Sequence, residues 1–292
     1  MRVLILGGTG MLGHKVFQVF RERFDTWATA QSVHRPLSSC DLFDGDRLLC
    51  GVDAFRMDSL TRAMAEVKPD AVINCVGIVK QLKAAKDPLV SLEINSLLPH
   101  RLANLCRACG ARLIHMSTYC VFTGNKGMYT EDDQSDAEDL YGRSKFLGEV
   151  DGPGCLTMRT SIIGRELRTS NGLVEWFLGN KGGKVRGFRG AIFTGYPTRV
   201  LAEIMADVLE NHAALEGVYQ VSSEPINKYD LLCQLNEAFG LGIEIEADDD
   251  LVCDRSLDSS RFREATGFQP ASWAQMTRDM AADTTPYEEW RK

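Results

Sequence analysis

Tyr141 and Lys145 stand four residues apart in Tyr141-Gly142-Arg143-Ser144-Lys145, a run that continues through Phe146, Leu147, Gly148 and Glu149. If that run is helical, both side chains share one face and the ammonium can sit beside the phenol oxygen. A free phenol has a pKa of about 10, and a close positive charge favours the phenolate and brings it down. Such a phenol could protonate a carbonyl oxygen while hydride reaches the carbon. The same spacing also describes a surface aromatic beside a solvated charge, so the elements around the pair must decide.

The first of these opens the chain. Val3-Leu4-Ile5-Leu6 reads as a strand, followed at once by Gly7-Gly8-Thr9-Gly10-Met11-Leu12-Gly13 and by a helical pattern through Val16, Phe17, Val19 and Phe20. Strand, glycine turn and helix is the order that holds a dinucleotide. Gly7 permits the tight turn, Gly10 lets backbone N–H groups approach a pyrophosphate, and Gly13 lets the helix pack on the strand. Thr9, Met11 and Leu12 belong to the same candidate cofactor turn. A second strand over residues 26–31 ends in Gln31 and Ser32, where an NAD site usually carries a carboxylate for the ribose 2′-hydroxyl. His34 and Arg35 follow, which leans to NADP, although Arg35 also reads as a solvated loop charge. Residues 54–57 read as a third strand ending in Asp58, whose carboxylate could accept from the adenine amino group or simply cap the helix of residues 60–67.

Two more strands complete the crevice. Residues 71–77 end in the small turn Cys75-Val76-Gly77, which leaves room for the ribose and nicotinamide end of the cofactor. Lys80 follows in a loop, either facing the substrate's phosphate or hydroxyls or simply solvated. Asp87-Pro88 opens a helix that carries Asn95, a member of a polar network beside the site or a bridge between backbone groups, and ends near Gly110. Residues 112–116 lead into Ser117-Thr118. In open parallel sheets ligands bind beyond the carboxyl ends of the strands, so these hydroxyls point into the same crevice as the glycine turn and Tyr141. Thr118 can donate to the carbonyl oxygen that Tyr141 protonates.

With these residues in this order, the chain resembles the extended short-chain dehydrogenase/reductases. Ser117-Thr118-x-x-Val121-Phe122-x-Gly124, Glu131-Asp132, the Tyr141 to Lys145 run, Leu147-Gly148-Glu149 and Met158-Arg159-Thr160-Ser161 are most similar to the dTDP-4-dehydrorhamnose reductase branch. The resemblance is dense over residues 1–165 and thinner afterwards. It implies an α/β fold, a Rossmann-type doubly wound parallel sheet with a smaller C-terminal substrate-binding lobe. It also implies reduction of a keto-sugar nucleotide by NADP(H), with NAD(H) possible, and Thr118, Tyr141 and Lys145 as catalytic residues. Lys145 would bind the nicotinamide ribose, Ser117, Ser161 and Ile162 would lie along the cofactor, and Phe122 would face the substrate. The branch usually reads Asp-Tyr where this chain has Tyr119-Cys120, which disfavours a dehydratase and leaves a 4-epimerase open. The branch also resembles the regulatory subunit of methionine adenosyltransferase, a non-catalytic alternative.

The remaining third carries fewer signals. Residues 165–190 interrupt the alternation with six glycines among basic residues, the pattern of a binding loop or a disordered segment. Arg165, Trp176, Phe177, Lys184, Arg186 and Arg189 there could stack on a base or pair with a diphosphate, and Arg199 or Arg261 could reach a phosphate. Residues 198–209 and 228–238 read as helices and residues 217–221 as a strand rejoining the sheet. Asp248-Asp249-Asp250 reads as a solvated turn rather than a metal site. The expected division is residues 1–165, rejoined by about 192–222, as an NADP-binding domain, with 166–191 and 223–292 as the substrate lobe. The acidic tail would lie on the surface, docked by Trp290.

Bulk properties agree with a small-molecule enzyme. The chain has 292 residues, 44% hydrophobic and 25% charged, with a net charge of −7 and no basic block, which argues against nucleic acid. No apolar run reaches about 18 residues, and no secretory signal precedes the first strand, so the expectation is a cytoplasmic protein, monomer or homodimer, without a membrane. The nine cysteines show no disulfide or zinc spacing.

Overall fold

The computed structural model describes residues 1–32, 41–43 and 46–291; His34 and Arg35 lie outside the described residues. The first half runs β1 (Arg2–Leu6), α1 (Met11–Phe20), β2 (Asp25–Ala30), β3 (Leu48–Cys50), α2 (Met57–Val67), β4 (Ala71–Asn74), α3 (Pro88–Ser91), α4 (Leu98–Cys109), β5 (Arg112–Met116), α5 (Leu140–Leu147) and β6 (Cys155–Arg159). It continues with β7 (Ile162–Ile163), α6 (Leu173–Leu178), β8 (Lys184–Phe188), β9 (Ala191–Phe193), β10 (Tyr196–Pro197), α7 (Thr198–Asn211) and β11 (Gly217–Gln220). Then come β12 (Ile226–Asn227), α8 (Lys228–Phe239), β13 (Glu244–Asp248), β14 (Cys253–Asp254), α9 (Ser260–Thr266), α10 (Trp273–Ala281) and α11 (Tyr287–Trp290).

Seven strands form one parallel sheet in the order β11-β6-β5-β4-β1-β2-β3. Its central strands are continuous apolar runs because both faces are covered. Alternation splits β1 between two cores: Val3 and Ile5 pack with Phe17, Phe20, Leu201 and Met205, while Leu4 and Leu6 pack with Leu60, Met64, Leu102 and Cys106. Helices α1 and α7 thus cover one face, α2 and α4 the other, as expected for a doubly wound sheet. The strand order reverses between β1 and β4, the switch point at which such sheets bind ligands.

Several boundaries differ from the sequence reading. The third strand is β3, and residues 54–56 are a turn, so Asp58 lies in the first turn of α2. There it is exposed between Arg56 (3.4 Å) and Arg62 (3.2 Å) and caps nothing with its side chain. The helix expected from Asp87 is divided: Asp87 caps α3 by accepting from the N–H of Leu89 (2.9 Å), and a π-helical stretch, Leu92–Leu97, separates α3 from α4. Helix α5 stops at Leu147 with Gly148 as its C-cap, where a Cβ would stand 1.8 Å from the Asn95 carbonyl oxygen.

Residues 165–190 are ordered as α6 and β8. Strand β8 pairs in parallel with β13. Its basic side chains meet acids: Lys184 reaches Glu244 (3.1 Å) and Glu246 (2.5 Å), Arg186 pairs with Asp248 and Asp250, and Arg189 faces Asp249 (3.7 Å). Gly187 serves packing, since a Cβ there would lie 2.9 Å from the Tyr229 Cα of α8. The tail is docked by Trp290 and by the fully buried Tyr287. Among the described residues no helix is long and apolar enough to cross a membrane, and no group of three or more His, Cys, Asp or Glu could hold a metal ion.

Candidate active site

The glycine turn joins β1 to α1. Gly7 adopts φ +78°, a conformation natural for glycine. A Cβ on Gly13 would sit 2.2 Å from the Gly7 oxygen, and one on Gly8 would sit 2.6 Å from the Ala28 Cβ. Gly10 is exposed and precedes α1 without a side-chain cap, so the first N–H groups of this ten-residue helix face outward, where a phosphate fits. Thr9 and Met11 are half-buried on this turn and Leu12 is buried in the core. Thr29, which the sequence reading missed, fixes the turn: its hydroxyl and carbonyl oxygens accept from the N–H groups of Gly7 (3.1 Å) and Gly8 (2.9 Å). On the other side Val76 approaches Gly7 to 3.1 Å of a Cβ position, so the Cys75-Val76-Gly77 turn flanks the same opening. Burial pushes the Cys75 thiol up to about 12. Asp53, also missed, follows β3 and accepts from the Gln31 amide (3.4 Å) and the Phe55 N–H (3.1 Å). It stands at the strand end that the sequence reading gave to Asp58.

Helix α5 packs on the turn that follows β5. Asp139 caps it, accepting from the Gly142 N–H (2.7 Å), and Gly142 lets the helix touch the turn of residues 119–121, since a Cβ there would be 2.3 Å from the Cys120 oxygen. This brings the Tyr141 phenol beside the Thr118 side chain. The Thr118 oxygen also accepts from the Cys120 N–H (3.1 Å). Lys145, buried on the same helix, donates to the Met116 carbonyl (2.6 Å). Burial lowers its pKa to about 8, opposed by Glu149.

One electrostatic expectation is overturned. Burial raises the Tyr141 phenol above its ordinary value, and the neighbouring Thr118 side chain only partly opposes it. The Lys145 ammonium donates to the Met116 carbonyl instead, and desolvation of the phenol favours its neutral form. A phenol held protonated remains a competent proton donor.

Asn95 is the fastener of the site. Its side chain exchanges both hydrogen bonds with Ile78 (2.9 and 3.1 Å) and donates to the Ser144 hydroxyl (3.2 Å), tying the loop after β4 to α5. Ser117 is turned away from the crevice: its hydroxyl donates to Glu149 (2.6 Å), which holds a buried bidentate ion pair with Arg159 (2.8 Å to each oxygen). The Ser161 carbonyl accepts from the Tyr196 N–H (2.9 Å), while Ile162 is half-buried in β7.

The substrate-side candidates scatter. Phe122 is fully buried and stacked on Tyr129 (centroids 4.1 Å apart), so it is core and faces no ligand. Lys80 pairs with Asp139 (2.6 Å) at the rim of the crevice. Arg165 pairs with Glu175 (2.6 Å) and Glu288 (2.7 Å) and lies over the Tyr287 ring, Arg199 pairs with Glu203 (3.1 Å), and Trp176 is exposed on α6. Arg165 and Arg199 line a separate cavity of about 320 Å³ with Lys15, Asp283 and Tyr287. The tail reaches the glycine turn through that cavity wall, an arrangement with no local sequence signal. Arg255 donates through Nε to the Phe122 carbonyl (2.7 Å).

Comparison with known proteins agrees with this architecture. Methionine adenosyltransferase 2 subunit beta of Danio rerio is 28% identical over 256 residues, 82% of this chain and 74% of that protein. The dTDP-4-dehydrorhamnose reductase of Streptomyces griseus is 31% identical over 149 residues, 51% of this chain and 43% of that protein, so that match spans less than half the reductase. A crystal structure of dTDP-4-dehydrorhamnose reductase from Bacillus anthracis str. Ames in complex with NADP shares the fold, with a TM-score of 0.79 at 18% identity over 97% of this chain and 99% of that one. The family described as the RmlD substrate binding domain matches residues 1–285, and the chain belongs to that family.

Proposed function

We propose that the protein is an NADP(H)-dependent reductase, with NAD(H) as a possible substitute, of a nucleotide-activated 4-keto-6-deoxy sugar. The observation that carries this reading is the convergence of the Thr118 and Tyr141 side chains at the carboxyl end of β5, in a sheet whose strand order reverses between β1 and β4. The cofactor fits the residues present: the glycines leave a cradle that any Cβ at Gly8 or Gly13 would fill, and the uncapped start of α1 faces outward from it. Gly7, Thr9, Gly10, Met11, Gly13, Asp53, Cys75, Val76, Gly77 and Lys145 would hold the dinucleotide, whose chemistry is delivery of hydride to a carbonyl carbon.

The chain's own groups do the rest. Thr118 orients the carbonyl oxygen and Tyr141 gives it a proton. Lys145 would hold the ribose hydroxyls. General acid catalysis of this kind contributes about 10²–10⁴-fold. Residues 1–165 with about 192–222 would form the cofactor domain, and 166–191 with 223–292 the substrate lobe.

Following NADPH absorbance with dTDP-, UDP- and GDP-linked 4-keto sugars tests the reading. Consumption of NADPH with one of them supports it, and none with any of them overturns it. A 4-epimerase would instead retain its cofactor through purification. The long alignment with a methionine adenosyltransferase regulatory subunit favours one second reading, a cofactor-binding regulatory subunit; it would bind NADPH in the same assay and leave every sugar untouched.

A further inference from the structure

Glu149 stands just past the end of α5, where Gly148 turns the chain closely against Asn95. Its N–H still donates to the Phe146 carbonyl (3.1 Å), so its side chain is held in the frame of the helix. Oε1 accepts from the Ser117 hydroxyl (2.6 Å) and from Arg159 Nε (2.8 Å), and Oε2 accepts from Arg159 Nη2 (2.8 Å). Both charged side chains are only 6% exposed. Ser117 links this pair to the candidate proton-transfer residues. It follows Met116, whose carbonyl holds the Lys145 ammonium (2.6 Å), and it precedes Thr118. On either side of Thr118 the backbone is bonded to the β6 side: the Ser117 N–H to the Met158 carbonyl (2.8 Å) and the Tyr119 N–H to the Thr160 carbonyl (3.0 Å). Arg159 lies between those two acceptors, with its guanidinium carbon 5.5 Å from the centre of the buried Phe122 ring.

A buried ion pair is weak evidence for stability, because taking two charges out of water offsets much of what their attraction returns. Well-packed apolar residues of like volume often serve stability as well. What they lack is the forked, directional geometry of a bidentate guanidinium and carboxylate. At this junction that geometry has a use: it fixes how the end of the helix sits along the strand. Proton transfer depends on such placement, since a displacement of about 1 Å costs on the order of 10²-fold in rate.

We propose that Glu149 and Arg159 are positioning residues: their ion pair, through Ser117, sets the segment that bears Thr118 against the helix that bears Tyr141 and Lys145. Neither touches the carbonyl that is reduced. The effect on turnover rests on the reductase reading, whereas the junction between strand and helix stands without it.

Two variants of the full chain test it: Ser117→Ala, which leaves the ion pair whole, and the double variant Glu149→Leu/Arg159→Met, which removes both charges so that neither is buried alone. Each is compared with the wild type in NADPH by melting temperature, by amide hydrogen exchange of residues 116–121 and 140–149, and by steady-state kinetics with the sugar nucleotide that the panel identifies. The expected result is a melting temperature close to the wild type and faster exchange confined to those two segments. With it, kcat should be roughly tenfold or more lower while KM for the sugar nucleotide is nearly unchanged. Should the double variant melt early, Ser117→Ala decides alone. Wild-type kcat, unchanged exchange in the two segments, or faster exchange spread over the whole chain would each overturn the proposal. A protein that turns over none of the sugars removes the reductase reading, and the exchange comparison still decides whether the ion pair joins strand to helix.

Discussion

The imidazole of His14 joins the two ends of the chain: Nδ1 lies 2.8 Å from the Gly10 carbonyl and Nε2 3.0 Å from the Tyr287 hydroxyl. A carbonyl only accepts, so Nδ1 carries the proton and Nε2 accepts from the tyrosine. Lys15 adds a bond from α1 to Asp283 (2.6 Å), and Arg291 pairs with Glu175 (2.6 Å) at the start of α6. The C-terminal segment thus braces the helix that presents the glycine turn.

Replacing Tyr287 by Phe would leave a buried imidazole nitrogen without a partner, at a cost of about 1–3 kcal/mol. We expect a lower urea midpoint with an unchanged slope, and weaker NADPH binding. A variant as stable as the wild type would show that the tail is not a brace.

The same ring gives a pH dependence. Burial lowers the His14 pKa to about 4, below the roughly 6.5 of an unfolded histidine. Between those values the unfolded chain binds a proton that the folded one refuses, so stability falls as pH drops from about 6.5 to 4, by on the order of 3 kcal/mol from this residue. Denaturation curves across that window should flatten in His14→Gln. An equally steep loss in the variant would assign the effect elsewhere.

Asn95→Ala should strand the Ile78 N–H and carbonyl and loosen the Ser144 contact, destabilising by about 2–3 kcal/mol. Because these bonds tie α5 to the loop after β4, turnover should fall along with stability. Full activity in a destabilised variant would mean that the helix keeps its position without them.

Lys145 sets the alkaline limit. Its pKa, lowered to about 8, means that it loses its charge as pH rises past that value, whereas the Tyr141 phenol stays protonated there. The profile of kcat/KM should therefore fall above about pH 8 with the loss of one proton. A level profile to pH 10 would remove the lysine from the chemistry.

What the sequence made legible was local. The glycine turn, the β1 and α1 run and the Tyr141–Lys145 spacing each depend on neighbours within a helix turn or two, and the structure assembles them at one end of the sheet. Strand β3 was misread because three residues carry no alternation to detect. Phe122 sits beside Thr118 in the chain yet points into the core, since successive residues leave the 119–121 turn in different directions. The glycines of residues 165–190 suggested a loose loop because composition does not reveal that β13, sixty residues later, supplies matching acids. The His14–Tyr287 contact spans 273 positions and leaves no local trace.

The most direct test is single-turnover oxidation of bound NADPH by the sugar nucleotide that the panel identifies, compared between the wild type and Tyr141→Phe. The account predicts a rate about 10²–10⁴-fold lower in the variant, with NADPH affinity nearly unchanged. An undiminished rate in Tyr141→Phe would contradict it.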